Sequence, residues 1–144
     1  IMKRLLYLLI LISLPVLAIG QQQQERFERI RALKVSYITE QLKLSSDQAA
    51  RFWPVYNKYE DEVRTVRRSL VARYKEMNAG ASREQARKFI EDNLEYQSQV
   101  LELKKKYKDE LLKTISPQQL ARLYEAEREF KKMLIRQLRE EEKK

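Results

Sequence analysis

The sequence predicts an all-α protein, and three observations support this fold class. The chain of 144 residues has two glycines and three prolines, far fewer turn residues than a sheet protein uses. Apolar residues recur at intervals of three and four, the spacing of amphipathic helices. A serine followed three residues later by glutamine, a helix-start signature, precedes three long charged segments. We therefore predict four helices, near residues 25–43, 46–78, 83–114 and 117–142.

The first twenty residues have the layout of a secretory signal. Lys3 and Arg4 form a basic start, residues 5–19 are predominantly apolar, and a polar run of glutamines follows. We predict cleavage after Gly20. A retained membrane anchor is the alternative, but the apolar run is shorter than the ~20 residues of a spanning helix and contains Pro15. This interpretation predicts an exported protein.

Removal of this signal segment leaves residues 21–144, which we predict to form one domain. The segment carries two basic residues and no acid, so the formal net charge changes from +9 to 9 − 2 = +7. The chain has no cysteine, which excludes both disulfides and a lipid anchor attached through a thiol. Stability must therefore come from packing.

Each predicted helix carries a stripe of apolar residues. In the first helix the stripe is Phe27, Ile30, Leu33, Tyr37, Ile38 and Leu42. In the second it is Phe52, Tyr56, Tyr59, Val63, Val66, Leu70, Tyr74 and Met77. In the third it is Ala86, Phe89, Ile90, Leu94, Val100, Leu103, Tyr107 and Leu111, and in the fourth Leu120, Leu123, Tyr124, Phe130, Leu134 and Leu138. This near-heptad spacing predicts helices packed at shallow angles over much of their length.

Helix starts are marked by repeated phrases. "LSSDQ" places Ser45 three residues before Gln48, the spacing of a capping box, in which serine and glutamine satisfy each other's backbone N–H groups. "ISPQQ" repeats it with Ser116 and Gln119, and Pro117 suits the first helical position. The aliphatic residues before the two serines occupy staple positions, and they are Leu44 and Ile115. A third box has Ser82 and Gln85.

The long helices are expected to be slender rods, with a kink in the second. Pro54 removes one backbone hydrogen bond inside that helix, so we expect a bend near residues 52–54 rather than a stop. A helix of about 30 residues is ~45 Å long. The remaining 124 residues (144 − 20) would form a thin layer of such rods, with one face hard to bury. We expect a homodimer to cover it, and a compact monomeric bundle is the alternative.

The composition argues against catalysis and cofactors. Neither histidine nor cysteine is present, which removes the usual nucleophile–base pairs and most transition-metal sites. Carboxylates are abundant, but basic residues stand three or four positions away, as in Glu60–Arg64 and Glu127–Lys131. Such groups are typical of solvated surface pairs. We predict no enzymatic activity, no cofactor and no metal.

A candidate binding surface lies beside the apolar stripe of the second helix. On a helical wheel of about 100° per residue, an aromatic, an aliphatic and three basic residues share one flank. We call this set the shoulder, and it comprises Trp53, Arg64, Arg68, Val71 and Lys75. Such a surface can attract an anionic chain and hold its apolar groups weakly. The alternative is that Trp53 and Val71 only widen the buried face.

The twin phrases carry a resemblance. "LSSDQ" and "ISPQQ" resemble the paired LTxxQ-type motifs of the Spy/CpxP family of periplasmic proteins, with serine for threonine in both and isoleucine for leucine in the second. The likeness spans about residues 42–138 and implies a long antiparallel helical hairpin that pairs into a curved, cradle-shaped homodimer. It implies a structural role, holding helix starts together, for the motif residues Leu44, Ser45, Gln48, Ile115, Ser116 and Gln119.

The resemblance also implies a function. Family members are ATP-independent chaperones for unfolded envelope proteins or regulators of envelope-stress signalling. We expect a periplasmic holdase whose partners are unfolded or misfolded envelope proteins, bound at the shoulder. The alternatives are a regulator that docks on one membrane sensor or anti-sigma partner, and a peripheral membrane-surface protein. Metal sensing, which relies on histidines in other members, is not expected, and neither is nucleic acid binding, since an exported chain rarely meets it.

Overall fold

The computed structural model describes residues 2–75, 80–141 and 143. This described part has four α-helices and no strand, so the all-α fold is confirmed. The helices are α1, Met2–Gln41; α2, Ser46–Lys75; α3, Arg83–Leu112; and α4, Pro117–Glu141. None of them, over the residues described, is long and apolar enough to cross a membrane.

Three helix starts agree with the predicted capping phrases, and the first does not. Helix α1 begins at Met2 rather than near Glu25, because the leucine-rich run and the glutamines after it are good helix formers. Helix α2 continues through Pro54, as expected for a helix that does not stop there. Its predicted last residues, 76–78, lie outside the described part of the chain.

Helices α2 and α3 pack side by side in opposite directions. Near their connection, Arg73 Nη1 lies 2.9 Å from Asp92 Oδ1. Farther along, Tyr107 Oη donates to Glu62 Oε1 at 2.6 Å. As the residue number falls along α2, the number of its partner on α3 rises, which defines an antiparallel pair.

The described chain divides into two compact units, each with its own buried side chains. The first unit consists of Ile1–Leu42 with Glu125–Lys144, and the second of Lys43–Tyr124. In the first unit Tyr37 Oη donates to Glu129 Oε2 at 2.9 Å, and its ring lies 5.8 Å from that of Phe130. The buried residues of this unit are Ile38, Leu42, Ala126 and Phe130.

The core of the second unit contains a run of aromatic rings. Phe52 stacks on Tyr56 with centroids 5.3 Å apart, Tyr56 meets Tyr59 at 6.2 Å, and Tyr59 meets Tyr107 of α3 at 5.6 Å. The buried residues of this unit are Phe52, Tyr56, Tyr59, Val63, Tyr107, Leu111, Ile115, Leu120 and Leu123. Burial of each large side chain contributes roughly 1.5–3 kcal/mol, so this cluster is the main stabilising feature of the unit.

The predicted stripe of α3 is partly wrong. Ile90 and Leu94 were expected to be buried, but 59% of Ile90 and 61% of Leu94 are exposed. The residues of α3 that contact α2 lie on another face, which includes Asp92, Tyr96 and Tyr107. The predicted burial of Leu33 in α1 is also wrong, since the side chain is half exposed.

The Tyr107–Glu62 hydrogen bond predicts a pH-dependent contribution to stability. The Tyr107 hydroxyl, followed by Lys106, lowers the pKa of Glu62, while burial and then Glu62 raise the pKa of Tyr107 to about 12. Because folding lowers the pKa of Glu62 below its unfolded value of ~4.5, the bond stabilises the protein at pH values above 4.5. This contribution is lost as the pH falls through the folded pKa. Because folding raises the pKa of Tyr107 above its unfolded value of ~10, the bond also stabilises the protein at pH values below 10. This contribution is lost as the pH rises from 10 to 12.

Replacing Tyr107 by phenylalanine is therefore expected to lower the free energy of unfolding by about 1 kcal/mol at neutral pH. Urea unfolding across pH would measure the difference between the two proteins. This difference should shrink below about pH 4 and again above pH 10, because the bond is lost at both ends. A difference that is constant from pH 3 to 11 would contradict the assigned role of the bond.

Candidate functional site

The twin phrases form two complete capping boxes. At the start of α2, Ser45 N donates to Gln48 Oε1 at 3.2 Å, and Gln48 N donates to Ser45 Oγ at 3.1 Å. At the start of α4, Ser116 N donates to Gln119 Oε1 at 2.9 Å, and Gln119 N donates to Ser116 Oγ at 3.1 Å. The aliphatic residues before them differ in burial, since Leu44 is half-buried and Ile115 is buried.

The two boxes are joined to each other through their glutamines. Gln48 Nε2 donates to Gln119 Oε1 at 3.0 Å, and Gln119 Nε2 donates to Gln48 Oε1 at 3.2 Å. Each box holds its amide oxygen towards a backbone N–H, which leaves the amide nitrogen turned to the other glutamine. The pair is self-complementary because an amide has both a donor and an acceptor on one edge. It ties the start of α2 to the start of α4, 71 positions apart.

The third capping box shows that the motif alone does not create this pair. Ser82 N donates to Gln85 Oε1 at 2.8 Å, and Gln85 N donates to Ser82 Oγ at 3.2 Å, which caps α3. The Gln85 side chain is exposed and serves its own helix start. Tertiary packing, and not the local spacing, therefore decides which glutamines meet.

The shoulder residues lie along one flank of α2, with different degrees of exposure. Trp53 is half-buried and meets Phe52 at 5.0 Å and Tyr56 at 5.5 Å, both edge to face. Arg64 is half-buried and lies 3.3 Å from Asp61. Arg68 and Lys75 are exposed, and 47% of Val71 is exposed. Val71 thus does not belong to the core, and Trp53 is only partly covered.

A second apolar surface on α3 was missed by the sequence analysis. Ile90, Leu94 and Leu101 fall within about 40° of one another on the helical wheel. We call them the outer ridge. The α3 residues that contact α2, which include Lys106 and Tyr107, lie between about 160° and 260° from Ile90, so the ridge is on the side of α3 away from α2. Leu101 is 52% exposed, similar to the other two. The 4 and 7 spacing of these residues was the available signal.

Charged residues surround the outer ridge in a definite order. Basic residues stand at both ends of it, Arg83 and Arg87 before Ile90, and Lys104, Lys105 and Lys108 after Leu101. A row of exposed carboxylates runs along one side, about 100° to 120° from Ile90, and consists of Glu84, Glu91, Glu102 and Asp109. Of the cations, Lys105 pairs with Glu102 at 2.8 Å and Lys108 with Asp109 at 3.3 Å.

The half of the hairpin nearest the α2–α3 connection has no buried side chain among the described residues. We call residues 64–75 and 80–106 the arm. The large apolar residues of the arm that are exposed are Val71, Tyr74, Ile90, Leu94 and Leu101. The arm is held by polar contacts, including the Asp92 carboxylate between Arg73 and Lys88, and by an edge-to-face ring contact of Tyr74 with Phe89 at 4.8 Å. Hydrogen bonds from Lys88, with help from Arg73, lower the pKa of Asp92.

The described residues show few features of a catalytic or metal site. No group of three or more His, Cys, Asp or Glu side chains in this part of the chain is arranged to hold a metal ion. No buried side-chain nitrogen or oxygen within it lacks a hydrogen-bond partner. The shoulder and the outer ridge are two described surfaces on which exposed apolar residues lie near basic ones. Comparisons of the chain with family models, curated proteins and solved structures give no match.

Proposed function

We propose that this protein is a periplasmic, ATP-independent chaperone that holds unfolded envelope proteins and delays their aggregation. The homodimer, the cradle shape and membership of the Spy/CpxP family, which the sequence resemblance implies, are part of the same proposal. The observation that carries it is the arm, where apolar side chains are exposed among basic ones instead of being buried.

The arm has the properties that reversible holding of a non-native chain needs. Its exposed large apolar residues are few and have exposed basic residues beside them, so we expect the apolar contact with a client to be weak and reversible. The basic excess of the chain attracts anionic segments at long range, and this attraction weakens with salt. Exposed polypeptide in an unfolded client offers apolar side chains to the arm. Binding of this kind needs no nucleotide.

The test is light scattering of a reduced or heat-denatured client with a stoichiometric amount of the protein. We expect a delayed rise in scattering at low salt and a shorter delay as salt is added. A double change in the shoulder, Val71→Ser with Lys75→Ser, should shorten the delay. The control is Lys58→Ser, a change on the same helix outside the shoulder, which should leave the delay unchanged.

Absence of any delay at low salt would remove the chaperone proposal. Crosslinking to extracts of the cell envelope then distinguishes the alternative. A chaperone should capture many unrelated clients, whereas capture of one dominant membrane sensor or anti-sigma partner would replace the proposal with the regulatory function.

A further inference from the structure

The outer ridge of α3 suggests which client segments the protein selects. We propose that Ile90, Leu94 and Leu101, with the basic residues at both ends, form a docking surface for an apolar polypeptide segment flanked on both sides by carboxylates. This inference rests on the proposed chaperone function and names its substrate class. It concerns a different surface from the shoulder on α2.

The burial data establish that the ridge is available in the chain. All three residues are more than half exposed, and the α3 residues that pack on α2 lie about 100° or more from them on the helical wheel. Three large aliphatic residues exposed in one line are unfavourable in water, and a partner that covers them would remove this cost. The line from Ile90 to Leu101 is about 17 Å long at 1.5 Å per residue, enough to contact one helix or strand.

The charges favour an acidic partner over a second copy of the same helix. If two α3 helices paired antiparallel with Ile90 opposite Leu101, Arg87 would face Lys104 and Arg83 would face Lys108. A parallel two-fold pair would place Arg83 opposite its own copy. Both arrangements put like charges together at the ends of the ridge, which is destabilising. An acidic segment would instead place carboxylates opposite the basic residues at both ends, and these contacts are attractive.

The same charges disfavour an anionic membrane as the occupant. The ridge covers only about 40° of the helix circumference, whereas a membrane-surface helix needs a broad apolar face. The row of carboxylates beside the ridge would be repelled by anionic lipid headgroups. A polypeptide can place its apolar residues on the ridge and its own basic or neutral groups beside the carboxylates.

The spacing of the basic ends defines the segment. Arg87 and Lys104 are 17 positions apart, or about 26 Å along the helix. A docked segment should therefore carry its two acidic flanks about 17 residues apart if helical, or about 8 residues apart if extended. Lys105 and Lys108 remain available to it, because their ion pairs with Glu102 and Asp109 are exposed and weak.

The test uses fluorescence anisotropy with two labelled peptides that share one apolar core. One peptide has glutamates at both flanks and the other has lysines. We expect the intact wild-type protein to bind the acidic-flanked peptide about tenfold more tightly at low salt. The change Arg87→Glu with Lys104→Glu should abolish or reverse the preference, and Leu94→Ser with Leu101→Ser should weaken binding of both peptides.

Two control variants on α4 match these changes. Lys131→Glu with Lys132→Glu repeats the charge reversal, and Met133→Ser repeats the loss of an exposed apolar residue; both should leave peptide binding unchanged. Circular dichroism establishes that each variant is folded. If the ridge variant unfolds, the wild-type preference and its reversal still decide the question.

Equal affinity for the two peptides, or a preference that survives charge reversal at the ridge, would overturn the inference. Binding to phosphatidylglycerol vesicles without binding to either peptide would assign the surface to lipid and would also overturn it. Flank preference without delayed aggregation would leave the docking surface standing and remove the chaperone function. Delayed aggregation without flank preference would support the chaperone function and remove the docking surface.

Discussion

Replacing Gln48 by glutamate is expected to lower the free energy of unfolding by about 2 kcal/mol, because the hydrogen bond from Gln48 Nε2 to Gln119 Oε1 is replaced by a contact between two acceptors. A carboxylate at position 48 keeps one oxygen for Ser45 N and turns the other towards Gln119 Oε1, where two acceptors meet. The Gln119 amide cannot rotate to help, since its oxygen already accepts from Ser116 N. Urea unfolding at neutral pH measures the loss.

Whether Gln48→Glu destabilises or stabilises the protein distinguishes the glutamine pair from ordinary helix capping. A glutamate at the third position of a capping box is usually as good as glutamine, and its charge favours a helix N-terminus. The matched control is therefore Gln85→Glu in the third box, which should be neutral or slightly stabilising. If Gln48→Glu behaves like Gln85→Glu, the pairing of the two glutamines contributes nothing to stability.

Acid provides a second test of the same variant. A protonated glutamate can donate to Gln119 Oε1 much as the original amide does. The folded state therefore favours the protonated form, which raises the pKa of the introduced carboxyl. A raised carboxyl pKa gives stability that is present at low pH and lost as pH rises. The deficit relative to wild type should accordingly shrink as pH falls towards 4.

Local features of the fold were predictable from the sequence, while features that depend on packing between helices were not. The starts of α2, α3 and α4 follow from Ser45, Ser82 and Ser116, because a capping box is made within four residues. The meeting of Gln48 with Gln119 depends on how two distant helix starts pack. The third box has the same spacing but does not take part in this pair.

The stripe of α3 illustrates the same division. Period alone gives two candidate faces, one with Phe89, Tyr96 and Tyr107 and another with Ile90 and Leu94. The contacts with α2, which include a ring contact of Phe89 with Tyr74 at 4.8 Å, decide which face is covered. A periodicity rule cannot identify that partner face. The predicted stripe of α2 is buried at Phe52, Tyr56, Tyr59 and Val63, but Tyr74 near the end of the helix is 52% exposed.

Replacing Phe52 by alanine is expected to have the largest effect, a loss of about 3–5 kcal/mol in the free energy of unfolding. Phe52 is fully buried, stacks on Tyr56 and meets Trp53 edge to face, so truncation removes apolar burial and leaves a cavity. Val71→Ala on the same helix is the control, and because Val71 is half exposed it should cost less than about 0.5 kcal/mol. Equal losses for the two variants would contradict the assigned core.

The same variant connects the core to the shoulder. Trp53 is the single tryptophan of the chain, so its fluorescence reports on this surface without labelling. Loss of the Phe52 ring removes an aromatic contact of the Trp53 indole and exposes it more to water. The tryptophan emission of the folded protein should therefore shift to longer wavelength. Phe52→Leu, which keeps most of the volume, should cost about 1 kcal/mol and shift the emission less. If Phe52→Ala remains folded and its emission is unchanged, the ring does not support Trp53, and the shoulder is held in place by other contacts.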